Sequence, residues 1–158
     1  MTPAVVAAER AKVAFELLSY AHDPAAESYG LEAAAALGLD PAHVFKTLVT
    51  QTDAGKLAVA LVPVAATLDL KAMAHALGAK RVAMADVALA ERTTGYVAGG
   101  ISPLGQRKAL PTVIDASAER LPRVYVSAGR RGLEIALAPA DLARLTRAAF
   151  ADVARAAG

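Results

Sequence analysis

Turn-forming residues cut the apolar part of this chain into short pieces, and that punctuation restricts the possible folds more than any other feature. Hydrophobic residues make up 56% of the 158, yet charges and turns break every apolar stretch before the ~20 residues a membrane helix needs. The surviving pieces show either strand alternation or short helical spacing, and they follow one another without a linker. Thr2-Pro3 opens a short helix to about Ala11, and Val13 to Ser19 reads as a strand ending at Tyr20. After the His22-Asp23-Pro24 turn, Gly30 to Leu37 reads as an alanine-rich helix stopped by Gly38. Val44 to Gln51 and Lys56 to Pro63 form a hairpin across Thr52-Asp53-Ala54-Gly55. A helix from Asp69 to Leu77, a short strand from Arg81 to Met84 and a helix from Asp86 to about Arg92 come next. Strands are expected at Thr112 to Asp115, Arg123 to Ser127 and Leu133 to Ala138, the last two joined through Ala128 to Gly132. A final helix is expected from Pro139 or Asp141 to Ala154.

Six to seven strands with four to five helices, including two hairpins, imply one α/β domain over residues 1–158. Its sheet should be mixed and largely antiparallel, with helices outside. With aromatics at only 4%, the core must be aliphatic. The opening Met1-Thr2-Pro3-Ala4-Val5 lacks the basic leader and apolar block of a signal peptide, and the chain has no cysteine, so a cytoplasmic setting is the default. A net charge of +2 is too modest for a protein that coats nucleic acid unaided.

The chemistry narrows by exclusion. Missing cysteine removes thiolate metal sites and any protein thiol nucleophile. His22, His43 and His75 lack metal-binding spacing, so neither metal nor cofactor is expected. No G-x-S-x-G elbow, P-loop or dinucleotide fingerprint is present. What remains is lysine and backbone. Lys46 lies in the apolar strand Val44 to Val49, on one face with Val44 and Leu48, while Phe45 and Thr47 share the other. Such a lysine either protects a sheet edge or lines a pocket. Tyr20 is equally a packing residue or a pocket hydroxyl. The segment Thr94 to Gln106 packs four glycines and a proline into thirteen residues. That density marks a tight loop or a backbone closely approached, and N–H groups at Gly99, Gly100 and Ile101 would suit an oxyanion. Ser127-Ala128-Gly129 and Gly132-Leu133-Glu134 form a second small-residue corner.

Together, Tyr20…His22-Asp23-Pro24, Val44-Phe45-Lys46-Thr47-Leu48, Leu68-Asp69-Leu70-Lys71, Gly99-Gly100-Ile101-Ser102-Pro103-Leu104-Gly105 and Ser127-Ala128-Gly129-Arg130-Arg131-Gly132-Leu133 resemble the YbaK/EbsC family, over nearly the whole chain. That family is related to the editing domain of bacterial prolyl-tRNA synthetase. The resemblance implies a partly barrel-like editing-domain fold and hydrolysis of the ester in mischarged Cys-tRNA(Pro), with Cys-tRNA(Cys) a further substrate. It implies tRNA and prolyl-tRNA synthetase as partners, and attack by the substrate's own thiol. It assigns Lys46 the catalytic place. Tyr20, Phe45, Thr47, Gly99, Gly100, Ile101, Ser102, Pro103, Ser127, Gly129 and Glu134 become candidate substrate-binding residues; Glu134 stands where the family pattern has Asp. The alternatives are a deacylase for another amino acid such as alanine, a non-catalytic module binding tRNA or a synthetase, and a small-molecule-binding domain.

Overall fold

The computed structural model describes residues 1–26 and 28–156. Helix α1 (Pro3–Arg10) begins as the sequence indicates: Thr2 Oγ1 accepts from Val5 N–H at 3.2 Å and Pro3 takes the first helical position. The same hydroxyl donates to the Ala128 carbonyl, which fastens the start of the chain to a later strand. There follow β1 (Phe15–Ser19), α2 (Tyr29–Leu37), the hairpin β2 (Phe45–Thr52) and β3 (Leu57–Pro63), then β4 (Ala66–Leu68), α3 (Leu70–Leu77), β5 (Val82–Met84) and α4 (Val87–Thr94). The second half holds β6 (Thr112–Asp115), a 3-10 turn (Ala116–Arg120), β7 (Val124–Arg130), β8 (Leu133–Leu137), α5 (Pro139–Thr146), β9 (Ala149–Ala151) and β10 (Ala154–Ala156).

The strands form three sheets: antiparallel β1-β8-β7, mixed β5-β2-β3-β6-β9 and the small pair β10-β4. Alternation along β2 and β3 separates two cores. Phe45 and Leu61 face β7 and β8, joining Val124, Val126, Ile135 and Leu137. Ala58, Ala60 and Val62 face α3, joining Met73 and Ala74. The five-stranded sheet is therefore covered by the three-stranded sheet on one face and by α3 on the other.

Two expectations need correction. Instead of six to seven strands in one partly barrel-like sheet, the described residues hold ten strands in three sheets, with no barrel closure. The last helix stops at Thr146, because Arg147 turns left-handed at φ +54°. Beyond it, β9 adds in parallel to β6 and β10 pairs with β4. Asp115 secures this tail: its Oδ1 accepts from the N–H groups of Val153 at 3.0 Å and Ala154 at 2.9 Å. Alanine's helix preference amounts to tenths of a kcal/mol per residue, and strand pairing outweighs it here.

Candidate functional site

Strand β2 is short of a neighbour where Lys46 stands. On its β3 side, Val64 N–H donates to the Val44 carbonyl and Thr52 N–H to the Lys56 carbonyl. Those bonds set the phase of the ladder, so even-numbered residues of β2 bond to β3 and the N–H and C=O of Thr47 point to the opposite edge. There β5 pairs only with Thr50–Thr52, and the backbone bridge to β7 comes just before β2 begins, at Val44 with Tyr125. Between these contacts an open strand edge faces a cavity of about 320 Å³. The Thr47 hydroxyl is buried beside it without a hydrogen-bond partner among the described residues.

The cavity has two strand walls and a roof. From β2 come Phe45, Lys46, Thr47 and Leu48; from the three-stranded sheet and its corners come Tyr20, Ser127, Arg131 and Glu134. Helix α2 leans over the first wall. A Cβ at Gly30 would lie 2.3 Å from a Val64 methyl and 4.0 Å from the Lys46 Cβ, so only glycine lets the helix settle this close. The neighbouring Tyr29 ring carries the Arg131 guanidinium 4.0 Å from its centroid. Arg131 also donates to the Asp23 carbonyl at 2.8 Å and faces Glu32 Oε1 at 3.5 Å, an ion pair without hydrogen-bond geometry. Glu32 Oε2 in turn accepts from Asp23 N–H at 2.6 Å. Asp23, Tyr29 and Glu32 are thus tied to the β7–β8 corner.

The roof is the glycine-rich segment, closed at its base by Arg107 N–H donating to the Thr94 carbonyl at 2.9 Å. Gly99, at φ +93°, lies under Tyr29, whose ring carbon would sit 2.9 Å from an added Cβ. Gly100 rests on the corner itself, with the Arg130 Cα only 2.7 Å from such a Cβ. Tyr96 joins the two halves of the loop by donating to the Leu104 carbonyl at 2.6 Å.

Burial dominates the electrostatics. It lowers the Lys46 ammonium from its ordinary value. It pushes the Glu134 carboxyl up to about 8. Tyr20 is also raised, by burial first and by the nearby Glu134 and Glu32 carboxylates. Among the described residues neither Lys46 nor Glu134 is in an ion pair. A cavity of this kind offers one ammonium, a protonated acid, hydroxyls and an open peptide edge.

Residues 23–145 match the aminoacyl-tRNA editing domain. The chain belongs to that family. It is 42% identical over 120 residues to EbsC of Enterococcus faecalis, to which Cys-tRNA(Pro)/Cys-tRNA(Cys) deacylase activity is ascribed; the match covers 76% of this chain and 73% of that one. Among solved structures it is similar to a protein ascribed a trans-editing role for prolyl-tRNA synthetase, with a TM-score of 0.84, 25% identity and 97% and 95% of the two chains covered. It is also similar to the hypothetical protein APE2540, with a TM-score of 0.87, 25% identity and 98% and 100% covered.

In this editing domain the cavity brings together Tyr20, Phe45, Lys46, Thr47, Gly99, Ile101, Ser127 and Glu134 from the sequence-derived set. Gly100, Ser102, Pro103 and Gly129 lie behind the wall instead. Gly100 N–H is taken by the Val97 carbonyl at 2.9 Å, so it is not a free oxyanion donor. Ser102 is fully buried, its hydroxyl accepting from Leu104 N–H at 3.2 Å. Pro103 is buried beside it. Gly129 makes room for Tyr96, whose ring lies 2.8 Å from where its Cβ would be. Sequence reasoning missed Tyr29, Arg131 and Met84. A glycine just inside a helix start is a poor helix former, and in Ser28-Tyr29-Gly30 it was the available sign of close approach.

Proposed function

We propose that this chain is a trans-editing deacylase that hydrolyses the ester of mischarged Cys-tRNA(Pro), and of Cys-tRNA(Cys), in the cytoplasm, with residues 1–158 acting as one domain. The observation that carries the reading is the shared cavity. Lys46, the roof at Gly99 and Ile101, and the Glu134 wall all line one space. The family match and the EbsC likeness support the substrate class.

Lys46 supplies the charge that positions the aminoacyl-adenosine, at ribose or phosphate oxygens or at the ester carbonyl. The open Thr47 peptide edge and the backbone at Gly99 and Ile101 orient the acyl group; Phe45 packs against it. Tyr20, Ser127 and the protonated Glu134 hydrogen-bond its amino or thiol end. No protein thiol exists, so the attacking sulfur belongs to the substrate. Its bond to the carbonyl carbon forms as the ester C–O bond breaks, and the thiol proton passes to the departing ribose oxygen. Water then opens the thiolactone to free cysteine. Prolyl-tRNA synthetase is the partner that delivers the mischarged tRNA.

A deacylation panel of Cys-, Ala-, Ser- and Pro-tRNA(Pro) tests this. Cysteine should be released fastest and serine at least about tenfold more slowly, since its hydroxyl is a far weaker nucleophile. Equal rates for cysteine and serine would replace thiol attack with water attack. Release of alanine alone would move the specificity, and no release at all would end the reading.

A further inference from the structure

A second groove, of about 680 Å³, begins where the first cavity ends. Lys71 from α3 and Lys80 and Arg81 from the α3–β5 link line it, opposite the β2–β3 turn. All three are exposed, and none is in an ion pair among the described residues. The carboxylate lining the groove is Asp53, which is occupied in accepting the Arg81 main-chain N–H at 3.2 Å. Three free cations against one acid make this a surface for anions.

Its position is set by β5. Val82 and Ala83 line the groove, while the next two residues, Met84 and Ala85, line the Lys46 cavity. Along the facing strand, Lys46 and Gln51 are five residues apart, about 17 Å at strand rise. A nucleic-acid strand advances about 3.4 Å per nucleotide in a duplex, so a few nucleotides cover that span. On the ridge between the two sites, Met84 is 50% and Val87 59% exposed, apolar surface suited to contact with bases.

We propose that this groove seats the phosphate backbone of the RNA strand leading to the aminoacylated 3′ end. Lys71, Lys80 and Arg81 neutralise its phosphates, and Met84 and Val87 carry the bases across the ridge. The proposal rests on the deacylase reading for what lies in the neighbouring cavity, but the groove has a readout of its own. The test compares wild type with Lys71→Ala/Lys80→Ala/Arg81→Ala, all surface changes. A labelled acceptor-stem RNA hairpin with a free 3′ end is titrated between 50 and 200 mM salt, at about 0.7–0.9 units of log–log slope per phosphate neutralised. The triple variant should lose about two units of that slope. In deacylation its KM for an aminoacylated hairpin should rise about tenfold with kcat unchanged, while aminoacyl-adenosine, too short to reach the groove, is turned over as by wild type. Unchanged salt slope and KM would overturn the proposal, as would equal losses on the short substrate or impaired synthetase binding with RNA binding intact. Should wild type hydrolyse neither substrate, the deacylase reading falls while the salt slope still decides the groove.

Discussion

Lys46 and Glu134 face the same cavity from different sheets, and burial drives each toward its neutral form. The outcome differs because the strands differ. β2 is open at Lys46, so the long side chain is only half-buried and its tip remains available to an anionic or carbonyl oxygen. β8 is the central strand of its sheet, paired with β1 through Leu18 and with β7 through Ser127, and Glu134 is 6% exposed. Its carboxyl therefore keeps its proton near neutral pH and acts as a donor. A strand left locally unpaired presents charge; a strand paired on both sides at that point presents a neutral acid.

The largest effect should follow from removing the Lys46 charge. Lys46→Ala should lower the rate of Cys-tRNA(Pro) deacylation about 10²–10³-fold, the scale of losing one preorganised electrostatic contact. Thermal stability should hold, because no ion pair is broken. Near-normal single-turnover rates in the folded variant would reduce Lys46 to a protective edge lysine, and the contrast between the walls would lose its functional side.

The roof comes next, since it belongs to the Glu134 wall. Gly100→Ala places a methyl 2.7–2.9 Å from Arg130 and Arg131 backbone atoms, which cannot swing aside as a side chain would. A cost of about 1–3 kcal/mol is expected in chemical denaturation, typical of overpacking. Gly99→Ala meets the partly exposed Tyr29 ring, which can rotate away, although its φ of +93° adds backbone strain. Its signature should be a raised KM as Tyr29 shifts. Equal denaturation midpoints for Gly100→Ala and wild type would show that the roof is not seated on the corner.

These glycines also mark how far the sequence was legible. Their density pointed to the right loop, but a chain of letters does not say whether substrate or protein makes the close approach. Here Tyr29 and the Arg130 backbone make it, and a turn takes up one of the N–H groups assigned to an oxyanion. Alternation placed Lys46 on a face with Val44 and Leu48. Its exposed edge depends on β5 being only three residues long and displaced along β2, which no local pattern encodes. The tail from Ala148 was misread for the same reason: its strands exist because β6 and β4 offer them partners.

The interior acid is tested through pH. Folded Glu134 holds its proton to about pH 8, whereas an unfolded carboxyl releases it near 4.5. Between those values the folded state binds the extra proton, so the stability this group contributes is full below about pH 4.5 and is lost as pH rises to about 8. The slope approaches about 1.4 kcal/mol per pH unit within that window. Glu134→Gln keeps the shape and removes the titration. Unfolding free energies measured from pH 5 to 9 should show wild type declining relative to the variant up to about pH 8 and running parallel above it. Parallel curves throughout would mean that Glu134 is already ionised in the folded protein, and Lys46 would then face an opposite charge across the cavity rather than a neutral acid.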